Sequence, residues 1–205
     1  MTPIALQTAI ESLPDLPLAS PGPTQTAFLA RGVTTLRDAC HWVHALPYDH
    51  TSSVADVFSV LEEGRGTCFT KHGVIASLAE ELEIPLEKQI GFYRLTEEIL
   101  TGMAELLERY DLPFVPQIHC FLDWHGTRID LTDGNETGKN KPIDSFDFVI
   151  PVPPATTTDL LRSLFHAHLP KYAALHPQLA KVPPETITDV VQASARLSLL
   201  RCALP

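Results

Sequence analysis

The fold is decided by the stretch from Gly64 to Pro85, which reads GRGTCFTKHGVIASLAEELEIP. Its two opening glycines predict a tight turn, because glycine tolerates backbone conformations that other residues avoid. The apolar residues that follow recur at helical spacing and form one stripe: Val74, Ile75, Leu78, Ala79 and Leu82. The stretch therefore predicts a turn, then an amphipathic helix that begins at Cys68 and closes at Ile84-Pro85.

Cys68 is the candidate nucleophile. A thiol at the start of a helix lies where backbone amides and the helix dipole favour an anion, and both lower the pKa of the thiol. Such a thiol becomes an efficient nucleophile when a base lies within hydrogen-bonding reach. Its backbone N–H is also the natural first donor of an oxyanion hole, which acyl chemistry requires. The second donor and the rim stay open, and the candidates are Thr67, Thr51, Ser52, Ser53 and His72.

The first turn of this helix also carries Lys71 and His72. Either cation would further stabilise a thiolate. A solvated surface position is the commoner fate of such residues, and it is the position that we expect for both.

Downstream, three segments have the composition of strands. They are Gln89–Leu95, Gln117–Trp124 and Thr127–Thr132. The last two are joined at His125-Gly126, and a two-residue connection that ends in glycine suits a hairpin turn. We therefore expect a small antiparallel sheet beside the cysteine helix.

His119 is the candidate base on the second of these strands. Side chains alternate between faces along a strand, so His119 shares its face with Phe121 and Asp123. A two-residue turn pairs Asp123 with Arg128 and Phe121 with Asp130, which places Asp130 one diagonal step from His119. A carboxylate in that position can hold the imidazole tautomer and stabilise the imidazolium.

The register of the hairpin decides which aspartate faces His119. A three-residue turn would shift the pairing by one residue and favour Asp133. The two-residue turn places Asp123 opposite Arg128, which is a sensible cross-strand ion pair. We therefore prefer Asp130 and keep Asp133 in reserve.

Composition and charge narrow the classes of function. The 205 residues are 44% hydrophobic and 20% charged, which suits a packed core and excludes a disordered chain. No apolar run approaches the roughly 20 residues of a membrane span, and the N-terminus lacks a secretion signal. The formal net charge of −10 comes without a basic cluster, so nucleic acid and anionic membranes are poor partners. We expect a cytoplasmic protein.

The four cysteines point to reduced thiols. Cys40, Cys68, Cys120 and Cys202 include no C-x-x-C pair, which excludes a zinc ribbon and a thioredoxin motif. We expect Cys40, Cys120 and Cys202 to be small buried hydrophobes. Cys40 and His44 stand four residues apart on a predicted helix, but two ligands fall short of a zinc site. No metal or organic cofactor is implied.

The whole chain is expected to form one α+β domain. We expect a lead-in over 1–33, a catalytic core over 34–151 and a helical extension over 152–205. The lead-in is irregular after a short helix at Ile4–Ser12. Besides the cysteine helix, one predicted helix begins at Thr34 or Thr35 and ends before Pro47. The remaining predicted helices span Val54–Leu61, Thr96–Arg109, Thr158–Leu169 and Glu185–Leu200. A fourth strand is expected at Phe146–Pro151.

The stretch from Gly64 to Cys68, its helix and Ile84-Pro85 resemble the cysteine motif of the transglutaminase-like superfamily. The downstream order is similar too, with a Gly91-Phe92-Tyr93 strand, then a His119 strand, then an Asp130 strand. The resemblance covers about residues 54 to 133. It implies a papain-like fold, with the catalytic cysteine at the start of a helix on a small antiparallel sheet.

The resemblance also implies a catalytic triad of Cys68, His119 and Asp130 in that chain order. Members of the superfamily include transglutaminases, peptide-N-glycanases and bacterial proteases. Two positions depart from the family pattern: Cys120-Phe121 stands where Ala-Trp is common, and Leu131 stands where proline is common. The departures leave the triad chemistry in place and the substrate open.

The residues and the resemblance together predict a thiol-dependent acyl-transfer enzyme. Hydrolysis of a peptide or isopeptide amide is favoured over transfer to an amine, because water is always available as the acceptor. The partner would be a peptide, a protein or a small amide, and the C-terminal helices are compatible with a homo-oligomer. Two rivals stay open. One is a catalytically silent domain that binds a peptide or ligand, and the other is an arylamine-acetyltransferase-like amine acyltransferase that uses an acyl thioester.

Overall fold

The computed structural model describes residues 3–19 and 22–202. The α-helices are α1 (Pro3–Glu11), α2 (Pro23–Leu29), α3 (Leu36–Ala45), α4 (Ser59–Glu63), α5 (Cys68–Glu81), α6 (Met103–Arg109), α7 (Thr158–Leu175) and α8 (Pro184–Cys202). The strands are β1 (Leu86–Leu95), β2 (Val115–Trp124), β3 (Thr127–Ile129) and β4 (Phe148–Pro151). They form one antiparallel sheet in the order β3-β2-β1-β4. The predicted α+β class is confirmed, and no helix of the described part of the chain is long and apolar enough to cross a bilayer.

The chain divides into two compact units, each assembled from separate segments. The first unit comprises the residues up to Ile90, Cys120–Asn135 and Ile150–Thr157. The second comprises Gly91–His119, Glu136–Val149 and the residues from Thr158 onward. The units interleave along the chain, whereas the three expected regions follow one another.

Helix α5 is central to the first unit. It contacts α2, α3 and α4, and most of its 14 residues are buried. We expected an amphipathic helix with one apolar stripe, but Thr70, Lys71 and His72 are as deeply buried as that stripe. The amphipathic prediction is therefore wrong. Because other elements pack on several sides of α5, its polar side chains must find partners inside the unit.

The turn before α5 needs its two glycines for different reasons. Gly64 ends α4 in the left-handed region, with φ of 65°, where a side chain is strained. Gly66 is not left-handed, but a Cβ there would lie 2.7 Å from both Thr70 Oγ1 and Val60 Cγ2. The predicted turn is confirmed, and the second glycine is required by the close packing of α4 and α5.

The β2–β3 hairpin has the predicted two-residue turn. His125 and Gly126 both have positive φ, 50° and 85°, as expected for a turn whose twist matches that of the strands. Asp123 lies opposite Arg128, which confirms the predicted register. The Asp123 carboxylate also accepts the N–H of Gly126 at 3.0 Å, which stabilises the turn.

Strand β3 ends earlier than predicted. It stops at Ile129 instead of Thr132, so Asp130 follows the strand. The reason is local, because the Asp130 carboxylate accepts the backbone N–H of Thr132 at 3.1 Å and its hydroxyl at 2.7 Å. A short acidic side chain that bonds two residues ahead favours a turn over an extended strand.

The lead-in is not irregular throughout, because it contains α2. Pro23 at the first turn suits a helix start, where the missing N–H is not needed. The next two N–H groups, of Thr24 and Gln25, donate to the Glu81 carboxylate at 2.7 and 2.9 Å. This capping partner is 57 residues away from Thr24, so a local reading of the sequence does not detect the helix.

Two other predicted helices begin later than expected. Helix α4 starts at Ser59 instead of Val54, and α6 starts at Met103 instead of Thr96. The Glu97 carboxylate accepts two backbone N–H groups at the start of α6, and so it keeps the preceding residues in a capping turn. The predictions for α1, α3, β1, β4 and α8 are confirmed within a few residues, and α7 continues to Leu175 through Pro170.

Aromatic packing holds the second unit together. Phe92 of β1 stacks on Phe148 of β4 with the ring centroids 4.4 Å apart. The same ring lies 6.3 Å from Phe165 and 6.3 Å from Tyr172, both on α7. Aromatic pairs at these distances contribute beyond the area that they bury. Helix α7, which the sequence presents as part of an extension, therefore contributes to the core of this unit.

We expect Gly66→Ala to lower the free energy of unfolding by about 1–3 kcal/mol, the usual cost of overpacking a core. The added methyl group would overlap with Val60 and Thr70. Urea unfolding measures the loss. The control is Arg65→Ala, which removes solvent-screened ion pairs to Asp49 and Glu63 and should leave the stability nearly unchanged. A Gly66→Ala variant as stable as wild type would show that the glycine is not a packing requirement.

Candidate functional site

Cys68 is the first residue of α5, as predicted, and it is 4% exposed. The N-cap residue Thr67 has an extended backbone, and its side chain makes no capping bond. The first turn contains no acidic residue. Neither the cap nor the first turn supplies a negative group, so the helix dipole at this end favours an anion at Cys68.

His72 lies one turn beyond Cys68, fully buried, with both ring nitrogens bonded to backbone. Nδ1 is 2.7 Å from the carbonyl oxygen of Cys68, and Nε2 accepts the N–H of Leu131 at 2.8 Å. A carbonyl can only accept and an N–H can only donate, so these partners select the neutral tautomer with its proton on Nδ1. Nε2 is 3.6 Å from Asp130 Oδ1, but a neutral ring makes no ion pair. His72 therefore clamps the start of α5 to the loop after β3.

Lys71 is also fully buried. Its ammonium donates to the backbone oxygens of His44 and Leu46 and to the side-chain oxygen of Asn135. The first two acceptors lie at the C-terminal end of α3, where the helix dipole favours a cation. Burial lowers the pKa of Lys71 to about 8, and the nearby Asp130 opposes that shift. The surface position expected for Lys71 and His72 is wrong. Oxygen acceptors from α3 and Asn135 surround Lys71, and His72 is bonded to the Cys68 carbonyl and the Leu131 N–H.

The loop after β3 is also bonded directly to α3. Asn135 Nδ2 donates to the carbonyl of His44 at 3.0 Å. His44 Nδ1 lies 3.1 Å from the carbonyl oxygen of Leu131. Together with Lys71, these bonds fix the loop at several points along its length, and so they restrict the residues that it carries.

Asp130 is a charged group deep in the first unit, only 1% exposed. Oδ1 accepts two bonds from Thr132, and Oδ2 accepts the guanidinium of Arg128 at 2.8 Å. Charge-assisted bonds of this kind stabilise a buried carboxylate. The reserve residue Asp133 is 8% exposed, and burial together with the charge of Asp130 raises the pKa of Asp133. The carboxylate of Asp130 is thus paired with the Arg128 guanidinium.

Lys88 is a second buried lysine, and the sequence analysis missed it. It is 2% exposed, and its ammonium donates to Pro154 O at 2.7 Å and to Thr156 Oγ1. It lies beside Gly73 of α5, because a Cβ on that glycine would be 3.5 Å from Lys88 Nζ. The acceptors come from a segment 66 residues further along the chain, so no local signal marks this lysine as buried.

The charge of Lys88 is coupled to two thiols. Burial lowers the pKa of Lys88, whereas Cys120 and Cys68 raise it. Cys120 is fully buried, and burial raises the pKa of its thiol. Lys88 is therefore a cation in the electrostatic neighbourhood of the candidate nucleophile.

Cys40 and Cys120 are both buried, as predicted for small hydrophobes. Burial raises the pKa of Cys40 to about 12, so this thiol is not reactive. His44, the other residue of the possible metal pair, has its Nδ1 bonded to the Leu131 carbonyl. Across the described ranges, no group of three or more His, Cys, Asp and Glu side chains could hold a metal ion. The side chain of Cys202 lies outside the described residues.

The candidate oxyanion donors before α4 bond to α4 itself. The N–H and hydroxyl of Ser52 donate to Glu63 Oε1 at 2.7 and 2.6 Å. The hydroxyl of Ser59 bonds to Thr51 Oγ1 at 3.0 Å and to the Ser53 carbonyl at 2.8 Å. These bonds shape the segment around the start of α4, and the second oxyanion donor stays a prediction.

His119 belongs to the second unit, whereas Cys68 and Asp130 belong to the first. It is 4% exposed, and its ring is nearly parallel to that of Phe146, with 13° between the planes and 6.4 Å between the centroids. Phe146 in turn covers Gly91, since a Cβ on Gly91 would overlap the Phe146 ring. Gly91 stands out in the sequence as part of a predicted strand, whereas the ring that requires it comes from a distant segment.

Comparisons of the chain with protein-family models, curated proteins and solved structures find no match. The fold and the site define a mixed α+β protein with a cysteine at the start of a buried helix. The transglutaminase-like resemblance stays a sequence-based prediction.

We expect the stability difference between wild type and Lys71→Met to change between about pH 8 and pH 10.4. Lysine titrates near 10.4 in an unfolded chain, so in this window the unfolded wild type binds more protons than the folded form. Stability of the wild type therefore rises with pH, by up to about 3 kcal/mol from this group. Urea unfolding at several pH values measures it.

Other groups titrate in the same pH range. The comparison is therefore with Lys71→Met, which lacks the contribution of Lys71 to the pH dependence of stability. The control Lys181→Met removes an exposed lysine and should follow the wild-type curve. Parallel pH curves for wild type and Lys71→Met would rule out a depressed lysine at this position.

We expect His72→Phe to lower the free energy of unfolding by about 1–3 kcal/mol, because the buried Leu131 N–H loses its acceptor and the Cys68 carbonyl loses its bond to the imidazole. Chemical denaturation gives the loss, and His50→Phe, in an exposed loop, is the control. Nitrogen-15 NMR of the wild type should show a neutral ring protonated on Nδ1 at neutral pH. A doubly protonated ring would contradict the clamp.

Proposed function

We propose that this chain is a thiol-dependent acyl-transfer enzyme that hydrolyses an amide, with Cys68 as the nucleophile, His119 as the base and Asp130 as the group that orients the base. We also propose a transglutaminase-like, papain-like core over residues 34–151. The observation that carries the proposal is the position of Cys68, at the first residue of a buried helix whose next turn is bonded to the Asp130 loop.

Two features near Cys68 support the thiolate, the reactive form of a cysteine, in this proposal. The dipole of α5 acts at its first residue, and no acid in the first turn opposes it. The buried ammonium of Lys88 interacts electrostatically with Cys68. Charges act more strongly away from solvent than at a surface, so a buried cation is more effective than an exposed one.

Asp130 has the properties that an orienting carboxylate needs. It must stay charged, and Arg128 and Thr132 supply the bonds that a buried charge requires. It must also stay in place, and its loop is held by His72 at Leu131 and by Lys71 at Asn135. Such support by surrounding residues is what a catalytic group on a loop depends on.

The assignment of His119 as the base rests on its residue type and its place in the chain. The predicted order of cysteine helix, histidine strand and aspartate also supports it.

In the proposed reaction His119 takes the proton of the Cys68 thiol, and the thiolate sulfur attacks the carbonyl carbon of the amide. The tetrahedral intermediate collapses when its C–N bond breaks, and His119 gives the proton to the leaving amine. The product of this half is a Cys68 thioester. A water molecule, deprotonated by His119, then attacks the thioester carbon, and the acid leaves while the sulfur regains a proton. The net reaction consumes one amide and one water molecule and yields one acid and one amine.

The test is the pH dependence of iodoacetamide alkylation, with the modified cysteine located by peptide mass spectrometry. We expect Cys68 to react near neutral pH or below, and His119→Ala to slow it at least about tenfold. Asp130→Asn should slow it less. The control His125→Ala, in an exposed turn, should react as wild type does.

The proposal fails if Cys68 titrates near the reference value of about 8.5 and its alkylation rate is unchanged in His119→Ala. A catalytically silent binding domain would then take its place. Incubation with acetyl-CoA separates the remaining rival. An acetyl group found on Cys68 would indicate an amine acyltransferase instead of an amide hydrolase.

A further inference from the structure

Phe146 lies beside the candidate base in the second unit. Its ring is nearly parallel to the His119 imidazole, and it lies directly on Gly91 of β1. A glycine within a strand is unfavourable, and its usual reason is the close approach of another group. At Gly91 that group is the Phe146 ring, so the strand keeps a costly residue in order to admit this aromatic side chain.

Asp147, the residue that follows Phe146, is held through both its backbone and its side chain. The N–H of Asp147 donates to the carbonyl of Phe92 on β1 at 2.8 Å. The carboxylate of Asp147 lies 3.0 Å from His176 Nε2 and 3.6 Å from Arg94 Nε. These contacts hold the chain that carries Phe146, so the ring has little freedom to leave Gly91.

Phe146 lies between the strand and a cavity. The residue is only partly buried, and it lines a cavity of about 280 Å³ together with Tyr93 and Phe114. One side of its ring faces Gly91 and His119, and another part of its surface borders the cavity.

We propose that Phe146 is a positioning residue for His119. The torsion that orients an imidazole ring has a broad, nearly two-fold profile, so neighbouring groups decide the plane of the ring. A parallel aromatic ring at this distance limits that plane, and Gly91 is what allows the aromatic ring to reach it. The inference rests on the proposed function, in which His119 is the base for Cys68.

The experiment compares Phe146→Leu with the conservative variant Phe146→Tyr and with Gly91→Ala. We expect Phe146→Leu to slow alkylation of Cys68 by about tenfold near neutral pH, the scale of a misplaced catalytic group, and to move its pH profile toward that of an ordinary thiol. Phe146→Tyr keeps the ring and should retain the wild-type profile. Gly91→Ala displaces the ring and should resemble Phe146→Leu.

A double-mutant comparison separates positioning from a general structural effect. In a His119→Ala background, Phe146→Leu should have no further effect on the alkylation rate, because it acts only through His119. An equal slowing with and without His119 would overturn the inference. If Gly91→Ala does not fold, Phe146→Leu and Phe146→Tyr carry the test by themselves.

NMR of the His119 ring keeps this inference distinct from the proposed function. In Phe146→Leu, the ring protons of His119 should lose the chemical shift caused by the aromatic ring. If His119→Ala leaves Cys68 reactivity unchanged, the proposed function fails and the NMR result alone decides whether Phe146 orients the ring. Unchanged His119 resonances in Phe146→Leu overturn the inference in either case.

Discussion

The first unit depends on the burial of two consecutive polar residues, Lys71 and His72, on its central helix. A buried ammonium is tolerable only if acceptors surround it, and Lys71 finds them at the end of α3 and on Asn135. His72 bonds on one side to its own helix and on the other to Leu131. Three segments that are distant in the sequence must therefore come together before α5 can be buried, which couples the placement of the helix to the placement of the loop after β3.

That coupling gives the candidate site its rigidity. Asp130 lies on a loop, and loops are mobile unless their backbone is bonded. Here the residue after Asp130 donates to His72, and Asn135 binds both Lys71 and the His44 carbonyl. The Cys68 carbonyl accepts from the same His72 ring. The His72 imidazole thus links the first turn of α5 to the loop that carries Asp130, and its neutral tautomer follows from its two backbone partners.

Only some of the glycines are explained by the sequence around them. Gly64 and Gly126 have positive φ, and the sequence pattern around each of them predicts a turn. Gly66 and Gly91 are not in that region of the backbone. Each is a glycine because another residue occupies the space of a side chain: Val60 and Thr70 at Gly66, and Phe146 at Gly91. A motif with alternating glycines can therefore contain one glycine for the turn and one for the packing.

Features that depend on neighbours in the chain can be predicted from the sequence. Helical spacing predicted α5 and the place of Cys68, the His125-Gly126 pair predicted the hairpin register, and Thr35 was one of two proposed N-caps of α3. Tertiary structure decided what depends on distant partners, such as the capping of α2 by Glu81, the burial of Lys71 and Lys88, and the ring beside His119. The physical reason is that periodicity and turn chemistry act over a few residues, whereas the cost of burying a charge is settled only by the acceptors that folding brings to it.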